Sequence, residues 1–234
     1  MSLPKVIYCI CGKEHLVYAI WSIRSLVKHG FRNVEVIVSN QQEKDLICRK
    51  INWLNDCSVI KGDTGRYPII SYKQFALEKY VETKKYAEQP GDEDIVICDS
   101  DVLWKENPIP LFSRFQGENW VHKLTPVNPN SYLLKPEEVD NREIGIHTII
   151  NYSLQTKSKI NRWPNFRVNG GLYMLSRDDY RRMLKLFVQK IRSLDPKDML
   201  LSEALMSLTY AEMGLAPITD KRDILYKRRP LRNS

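Results

Sequence analysis

The first 104 residues alternate short apolar runs with longer segments whose apolar residues recur at helical spacing. The apolar runs cover residues 5–11, 34–40, 57–62 and 94–99, and the helical segments cover residues 15–30, 44–54 and 72–87. Strands and helices that alternate in this way form βαβ units, which build parallel sheets. The runs hardly alternate apolar with polar residues, as expected of strands that helices cover on both faces. The pattern predicts an α/β domain with a mostly parallel central sheet flanked by helices.

The regular alternation ends after residue 104. The second half is predicted to hold strands over 119–126, 166–175 and 215–218, and helices over 178–193 and 197–214. The segment 126–166 is rich in Pro, Asn and Ser and shows little periodicity, and we interpret it as a binding loop or lid rather than a linker. A chain of 234 residues can bury a substantial core, as one α/β domain or as two small ones.

The positive net charge of the chain, +8, is concentrated at its C-terminal end. The last 14 residues hold six basic side chains against one acidic side chain, which leaves a net charge of only +3 for the other 220 residues. A protein that follows nucleic-acid phosphates would need basic residues over its body. We therefore expect a nearly balanced domain with a basic tail, and no nucleic-acid partner.

Hydropathy and cysteine usage both indicate a cytoplasmic protein without a transmembrane segment. No apolar run approaches the roughly 18 residues of a membrane-spanning helix, and the first run is too short for a secretory signal. The five cysteines are odd in number and mostly lie in apolar, strand-like contexts, which favours buried free thiols. Cys9 and Cys11 have no second pair at zinc-site spacing, so we expect no structural zinc site.

Two acidic pairs with the same spacing flank the fourth predicted strand. Asp92 and Asp94 precede the strand, whereas Asp99 and Asp101 follow it with Ser100 between them. In open α/β sheets, ligands bind outside the carboxyl ends of the strands, so the second pair lies at the functional edge and the first is interpreted as a solvated turn. Two carboxylates that flank one residue can bind a single hard cation such as Mn²⁺ or Mg²⁺. The alternative interpretation is an ordinary polar turn, which is what an isolated D-x-D pattern usually forms.

The segment CDSDVLW, residues 98–104, resembles the D-x-D motif of GT-A-fold glycosyltransferases that use nucleotide sugars, and among them family 8, the glycogenin-like and galactosyltransferase-like enzymes. Three further segments agree with this resemblance. YCICGKEHLVYAIWSIRSL, residues 8–26, resembles the first strand and helix of that family, and FRVNGGLYMLS, residues 166–176, resembles its asparagine–glycine segment beneath the donor sugar. DMLLSEALMS, residues 198–207, resembles the helical region where the family carries an Asp-Gln pair.

The resemblance spans roughly residues 5–215 and implies a single GT-A domain over residues 1–234, with a Rossmann-like, mostly parallel central sheet. Within this domain, residues 1–104 would form a nucleotide-binding half, residues 105–215 an acceptor and sugar half, and residues 216–234 a basic C-terminal tail.

The resemblance also implies roles for residues at the donor site. Asp101 would bind the metal directly, Asp99 would bind the metal and the ribose, and Ser100 lies between them. Two catalytic candidates follow. Asn169, with Gly170 and Gly171 beside it, would contact sugar hydroxyls, and Glu203 stands where the family has a glutamine at the reactive face of the sugar.

Basic and nucleotide-contacting positions follow from the same resemblance. Cys9 and Cys11 lie in the turn that would contact the nucleotide base, and Arg66 and Lys73 match basic positions that steady the donor diphosphate. Family 8 ends in a His-x-x-Gly-x-x-Lys-Pro-Trp segment, whose histidine is a third metal ligand and whose lysine binds phosphate. This chain lacks that segment, so Asp220 or Asp223 would replace the histidine, and tail bases such as Lys227, Arg228 and Arg229 would replace the lysine.

The implied activity is metal-dependent transfer of a hexose from a nucleotide-diphosphate sugar, a UDP-sugar in preference to a GDP-sugar, to a glycan or protein-linked acceptor. The departing diphosphate gathers negative charge, so a divalent cation (Mn²⁺ or Mg²⁺) and basic side chains would lower the barrier. Glu203 would serve either as the base of an inverting enzyme or as the stabilising group of a retaining one. Trp163, beside Pro164, is the candidate on the acceptor side.

Three other functions stay open at this point. A nucleotidyltransferase of sugar phosphates would carry a glycine-rich loop after the first strand, whereas CGKEHL, residues 11–16, has one glycine. A metal-dependent nuclease would gather more carboxylates, and more basic residues over its body. A non-catalytic nucleotide-sugar-binding module is compatible with the lack of the family's third metal ligand.

Overall fold

A mixed central sheet organises the part of the chain that the computed structural model describes, namely residues 2–10, 13–54, 57–59, 83–84, 86–140, 143–157, 159–194, 202–220 and 225–227. The strands in chain order are β1 (Lys5–Cys9), β2 (Val34–Val38), β3 (Cys57–Val59), β4 (Ile95–Cys98), β5 (Val102–Trp104), β6 (Trp120–Val121), β7 (Leu124–Pro126), β8 (Phe166–Val168), β9 (Leu172–Leu175) and β10 (Leu225–Lys227). The helices are α1 (Lys13–Lys28), α2 (Gln41–Lys50), α3 (Ile109–Arg114), α4 (Ile144–Thr156), α5 (Arg177–Ser193) and α6 (Ser202–Met213).

The central sheet has six strands in the order β3-β2-β1-β4-β9-β6. Its first four strands are parallel to one another, and β9 runs antiparallel to both β4 and β6. The sheet therefore combines strands from both sides of residue 104. These pairings confirm the predicted α/β fold with a mixed, mostly parallel sheet.

Helices cover both faces of the sheet, and a core cluster fills each side. Successive residues of β1 point to opposite faces, so Val6 and Tyr8 pack with α1 and α2, whereas Ile7 packs with α4, α5 and α6. All five residues of β2 and all four of β4 are buried. Burial on both faces explains why β4 is an unbroken apolar run and why β2 is apolar except at Glu35, whose buried carboxylate pairs with Lys5 at 3.1 Å.

Two segments predicted as single strands are each divided between two sheets. The segment 119–126 forms β6 in the central sheet and then β7, and the segment 166–175 forms β8 and then β9. β7 and β8 pair with each other as an antiparallel ribbon. The second break falls at Asn169-Gly170-Gly171, which has no apolar side chain to bury and so leaves the sheet. The prediction of continuous strands is therefore wrong.

The segment 126–166, interpreted as an irregular loop or lid, contains two 3-10 helices (Pro129–Leu133 and Pro136–Glu138) and the 13-residue α4. α4 is rich in Ile and Thr, whose branched side chains lower helix propensity, so local pattern did not reveal it. Ile146, Ile149 and Ile150 are buried in the core cluster that also holds side chains of α5 and α6. Tertiary burial therefore stabilises a helix that its own residues only weakly favour.

Other predicted elements are found with shifted ends. Residues 83–84 and 86–88 are helical, and the rest of the helix predicted over 72–87 lies outside the described residues. The strand predicted over 215–218 is reduced to a single bridge between Ile218 and Trp120. None of the helices in the described part of the chain combines the length and apolarity that crossing a membrane requires.

Asp94, at the start of β4, is buried rather than solvated. Its Oδ2 accepts a hydrogen bond from the backbone N–H of Gly117 at 2.7 Å. Burial raises the pKa of the Asp94 carboxyl, the hydrogen bond from Gly117 lowers it, and the nearby Asp92 carboxylate raises it, with a net upward shift. The interpretation of the first acidic pair as a solvated turn is therefore wrong for Asp94, although Asp92 is exposed.

We expect Asp94→Asn to raise the free energy of unfolding at about pH 7 and to change it little at about pH 3. A pKa raised above the usual 3.8 means that Asp94 supports folding below that pH and loses this support as the pH rises through the folded-state pKa. Asparagine stays neutral, and its Oδ1 can still accept the N–H of Gly117. Urea unfolding at the two pH values is the measurement, and a variant less stable than wild type near neutral pH would contradict the prediction.

Candidate functional site

The D-x-D turn, defined as Asp99-Ser100-Asp101, lies at the carboxyl end of β4 and connects it to β5. The backbone N–H of Asp99 donates to the carbonyl oxygen of Gly171 at 2.6 Å, and the N–H of Val102 donates to the carbonyl oxygen of Asp99 at 3.4 Å. Asp99 and Asp101 are partly buried, and Ser100 is buried. Because β5 pairs with β10 instead of joining the central sheet, the turn stays at the edge where the parallel strands end.

The glycine turn, defined as Asn169-Gly170-Gly171, packs against the D-x-D turn. The N–H of Gly171 donates to Oδ1 of Asn169 at 3.1 Å. A Cβ atom on Gly171 would lie 2.9 Å from Oδ2 of Asp99 and 3.0 Å from Oδ1 of Asn169. The Asp99 carboxylate and the Asn169 amide thus approach each other over a position that only glycine leaves open.

Glu203, in the first turn of α6, reaches the same place from a different part of the chain. Its Oε1 accepts the N–H of Gly170 at 2.8 Å. One helical turn later, the hydroxyl of Ser207 donates to the carbonyl oxygen of Glu203 at 2.7 Å and accepts the N–H of Val168 at 3.0 Å. The structure therefore brings together Asp99, Asn169, Gly170 and Glu203, all of which the sequence had singled out.

His15 is a residue of this region that the sequence did not single out. It is exposed in the first turn of α1, and its Nδ1 lies 3.4 Å from the Ser100 hydroxyl oxygen. The βα connection after β1 ends at the carboxyl edge of the sheet, and β1 is the direct neighbour of β4. The adjacency of β1 and β4 therefore explains why the start of α1 lies beside the D-x-D turn, and a predicted strand order would have been enough to expect it.

The other predicted nucleotide-contacting residues are less well placed or not described. Cys9 ends β1, and its side chain is buried in the core rather than exposed at the edge of the sheet. Cys11, Arg66, Lys73, Arg228, Arg229 and Asp223 lie outside the described residues.

Asp220, the predicted third metal ligand, forms an ion pair with Arg114, with Nη1 and Oδ2 3.2 Å apart. It follows Ile218, which hydrogen-bonds to β6, two strands away from β4. In the residues that the structure describes, no group of three or more His, Cys, Asp and Glu side chains could hold a metal ion. The role of Asp220 as a third ligand stays a prediction.

The C-terminal tail returns to the D-x-D turn. β10 pairs antiparallel with β5, and Lys227 lies opposite Val102, the residue that follows Asp101. The sequence assigned no strand to this segment, because three residues give no periodicity. The pairing nevertheless brings the backbone of residues 225–227 next to β5, which begins directly after Asp101.

A groove begins beside the end of β2 and follows α2. Its cavity volume is about 470 Å³, and its lining comprises Leu16 of α1 and Asn40, Gln42, Glu43, Asp45, Leu46 and Arg49. Glu43 is buried, and its Oε2 accepts the hydroxyl of Ser39 at 2.6 Å, which fixes this corner. Asn40, at the first end of the groove, follows β2, and β2 is two strands from β4 in the central sheet.

An aromatic pair marks the second half of the chain. Trp163 stacks on Tyr132, with ring centroids 5.1 Å apart and planes 9° apart. Burial raises the pKa of Tyr132 to about 12, with Arg167 lowering it and Glu143 raising it, so the phenol is neutral near neutral pH. Trp163 is the more exposed ring, and it precedes β8, which leads directly to Asn169.

No protein-family model matches the chain, and no curated protein sequence matches it. Solved structures do match. A galactosyltransferase, LgtC, in complex with donor and acceptor sugar analogues, aligns with a TM-score of 0.50 and 13% sequence identity, over 91% of this chain and 72% of that chain. Mouse xyloside xylosyltransferase 1, in its apo form, aligns with a TM-score of 0.52 and 13% identity, over 94% of this chain and 85% of that chain. The chain therefore has the GT-A fold of glycosyltransferases.

Proposed function

We propose that the chain is a metal-dependent hexosyltransferase that takes its sugar from a nucleotide-diphosphate donor and transfers it to a glycan or protein-linked acceptor. The observation that carries this proposal is the contact between the D-x-D turn and the glycine turn, joined by the 2.6 Å hydrogen bond from Asp99 to Gly171. It brings the carboxylates of Asp99 and Asp101, the amide of Asn169 and two glycines without side chains together. They meet at the edge where open α/β sheets bind ligands. The fold similarity to two glycosyltransferases supports the same class.

The donor set of the D-x-D turn fits Mn²⁺ or Mg²⁺. Carboxylate oxygens are hard ligands, and these ions usually complete their shell with water and substrate phosphate oxygens rather than with a full protein cage. Asp99 and Asp101 would hold the ion, and Asp220 is proposed as a further ligand. When bound, the cation would supply Lewis-acid stabilisation of the departing diphosphate.

The nucleotide is proposed to lie along the carboxyl edge of the sheet, with its base in the groove beside β2 and its diphosphate at the D-x-D turn. Asn169 uses Oδ1 to accept the N–H of Gly171, which leaves its Nδ2 group to donate to sugar hydroxyls. The pairing of β10 with β5 supports a role for Lys227 and Arg228 at the diphosphate. Preference for uridine follows only from the resemblance to family 8.

A non-catalytic nucleotide-sugar-binding module is the second candidate. It is favoured by one observation, the lack of a third metal-ligating side chain beside Asp99 and Asp101 among the described residues. Such a module would bind a nucleotide sugar without consuming it. Hydrolysis or transfer of the bound donor therefore separates the two functions.

We expect one nucleotide from a panel of UDP, GDP, CDP and their sugars to raise the melting temperature in the presence of Mn²⁺. A ligand at a hundredfold excess over its Kd adds about 2.7 kcal/mol of stability, or roughly 5–10 °C for a domain of this size. The shift should vanish in the double variant Asp99→Ala/Asp101→Ala, because the metal then loses both carboxylates.

Asp92→Ala is the matched control, since Asp92 belongs to the acidic pair of the same spacing at the opposite edge and is exposed. It should keep the full shift. If no nucleotide stabilises a folded wild-type protein, the proposal fails. A shift that survives in the double variant would mean that the two acids do not hold the metal.

A further inference from the structure

We infer that Glu203 is a positioning residue, whose carboxylate holds the glycine turn beneath the donor sugar, and that Ser207 is a second positioning residue that acts through it. This inference rests on the proposed function and deepens it. It assigns Glu203 neither the role of a base nor that of the group that stabilises the reacting sugar, which its place in the sequence leaves open. We refer to the two residues together as the α6 clamp.

The first support for the α6 clamp is the contact with Gly170. Oε1 of Glu203 accepts the N–H of Gly170 at 2.8 Å, across 33 residues of sequence. A Cβ atom on Gly170 would lie only 3.2 Å from Cγ of Glu203, so the stem of the side chain also packs against the turn. A hydrogen bond from a backbone N–H to a carboxylate is charge-assisted and about twice as strong as a neutral one. This oxygen is thus committed to the protein backbone.

As the second support, the glycine turn, which Glu203 holds, is in turn hydrogen-bonded to the Asn169 side chain and to the backbone of Asp99. The N–H of Gly171 fixes the amide of Asn169, and the carbonyl oxygen of Gly171 accepts the N–H of Asp99. A shift of Gly170 would therefore move the Asn169 side chain and the backbone of Asp99 together. Active-site geometry is sensitive to such shifts, because a misplacement of about 1 Å can lower the rate about 100-fold.

The third support concerns Ser207, which is 1% exposed in the interior of α6. A serine that hydrogen-bonds to the carbonyl four residues earlier, as this one does to Glu203, slightly destabilises a helix on its own. Its oxygen, however, also accepts the N–H of Val168, the residue before Asn169. One hydroxyl thus ties the helical turn that carries Glu203 to the strand that leads into the glycine turn.

A general base must present an oxygen that can take a proton, which an amide cannot do near neutral pH. An amide oxygen can still accept the N–H of Gly170. Comparing Glu203→Gln with Glu203→Ala therefore separates positioning from base catalysis, and amide hydrogen exchange at Gly170 tests the positioning contact itself. If Glu203 only positions the turn, Glu203→Gln should keep most of the kcat that Glu203→Ala loses.

Thr209 supplies a matched control for Ser207. It lies in the same helix, is buried, and its hydroxyl donates to the carbonyl of Leu205 at 2.8 Å in the same four-residue pattern. Among the described residues, the Thr209 hydroxyl forms no hydrogen bond to a strand, so Thr209→Ala removes an equivalent helical hydrogen bond without affecting β8. Both alanine variants remove one buried hydroxyl from α6.

The test combines steady-state kinetics of donor hydrolysis or transfer with amide hydrogen exchange, measured by NMR on the full chain without ligand. Glu203→Ala should lower kcat about 100-fold and Glu203→Gln less than about tenfold, with KM for the donor changing less than kcat in both. Ser207→Ala should lower kcat about tenfold, and Thr209→Ala should stay close to wild type. Exchange should quicken at Gly170 in Glu203→Ala and at Val168 in Ser207→Ala.

Equal losses of kcat in the glutamine and alanine variants of Glu203 would overturn the inference, because the carboxylate would then be needed for chemistry. Unchanged exchange at Gly170 in Glu203→Ala would overturn it as well, because the contact would then not hold the turn. The exchange measurements need no nucleotide. A chain that binds no nucleotide would therefore refute the proposed function, while exchange would still decide whether the α6 clamp exists.

Discussion

Replacing Gly171 with alanine is expected to weaken metal-dependent nucleotide binding about 10- to 100-fold, the range typical of changes that displace a metal ligand's support. The added Cβ atom would lie 2.9 Å from Oδ2 of Asp99, closer than real Cβ contacts, and 3.0 Å from Oδ1 of Asn169, which is a tight contact. Asp99 and Asn169 must therefore move, and both belong to the proposed donor site. Crowding of this kind typically costs about 1–3 kcal/mol of stability, so the protein should still fold.

Two other glycines give a graded comparison for Gly171→Ala. A Cβ atom on Gly170 would approach Cγ of Glu203 at 3.2 Å, an intermediate contact, whereas one on Gly145 would approach Cδ of Arg167 at an ordinary 3.4 Å. The loss of affinity should follow the order Gly171→Ala, Gly170→Ala, Gly145→Ala, with the last close to wild type.

Isothermal titration with Mn²⁺ and the stabilising nucleotide gives the affinity, and urea unfolding gives the stability of each glycine variant. Wild-type affinity in a folded Gly171→Ala protein would contradict the prediction. The lack of a side chain at Gly171 would then not be needed to place the Asp99 carboxylate for metal binding.

The parallel half of the fold could be predicted from sequence because its information is local. Buried parallel strands give unbroken apolar runs, and their helices give a clear period, so the order of elements up to β4 follows from pattern alone. The same order identifies the carboxyl edge, and with it Asp99 and Asp101. The burial of Asp94 was not predictable, because it depends on the N–H of Gly117, 23 residues further on.

The contacts that complete the candidate site could not be predicted from local pattern either, because they join residues that are far apart in the sequence. Glu203 meets Gly170 across 33 residues, and His15 meets Ser100 across 85 residues. α4 was missed because burial, rather than the propensity of its Ile and Thr residues, stabilises it. Sequence pattern identified Asp99 and Asp101, and the resemblance to family 8 implied Asn169, Gly170 and Glu203, whereas only the tertiary fold reveals which atoms they use.

Removing residues 228–234 is expected to lower turnover about 100-fold while changing the melting temperature little, since β10 and its pairing with β5 are retained. The missing segment contains Arg228, Arg229 and Arg232, which are proposed to counter the charge that develops on the departing diphosphate. Removing residues 225–234 also deletes β10, which should further cost about 1–3 kcal/mol of stability through the lost strand hydrogen bonds. Turnover of the donor and thermal unfolding are measured for both truncations.

A full-length variant with Arg228, Arg229 and Arg232 all changed to glutamine separates charge from chain length. If positive charge at the diphosphate is the cause, this variant should lose nearly as much turnover as removal of residues 228–234, and moderate salt should weaken wild-type turnover through screening. If the shorter truncation instead keeps wild-type turnover, the tail is a solvated basic segment. The return of β10 to β5 would then serve only to cover the edge of a short strand, and the positive charge that the chemistry requires would have to come from elsewhere in the chain.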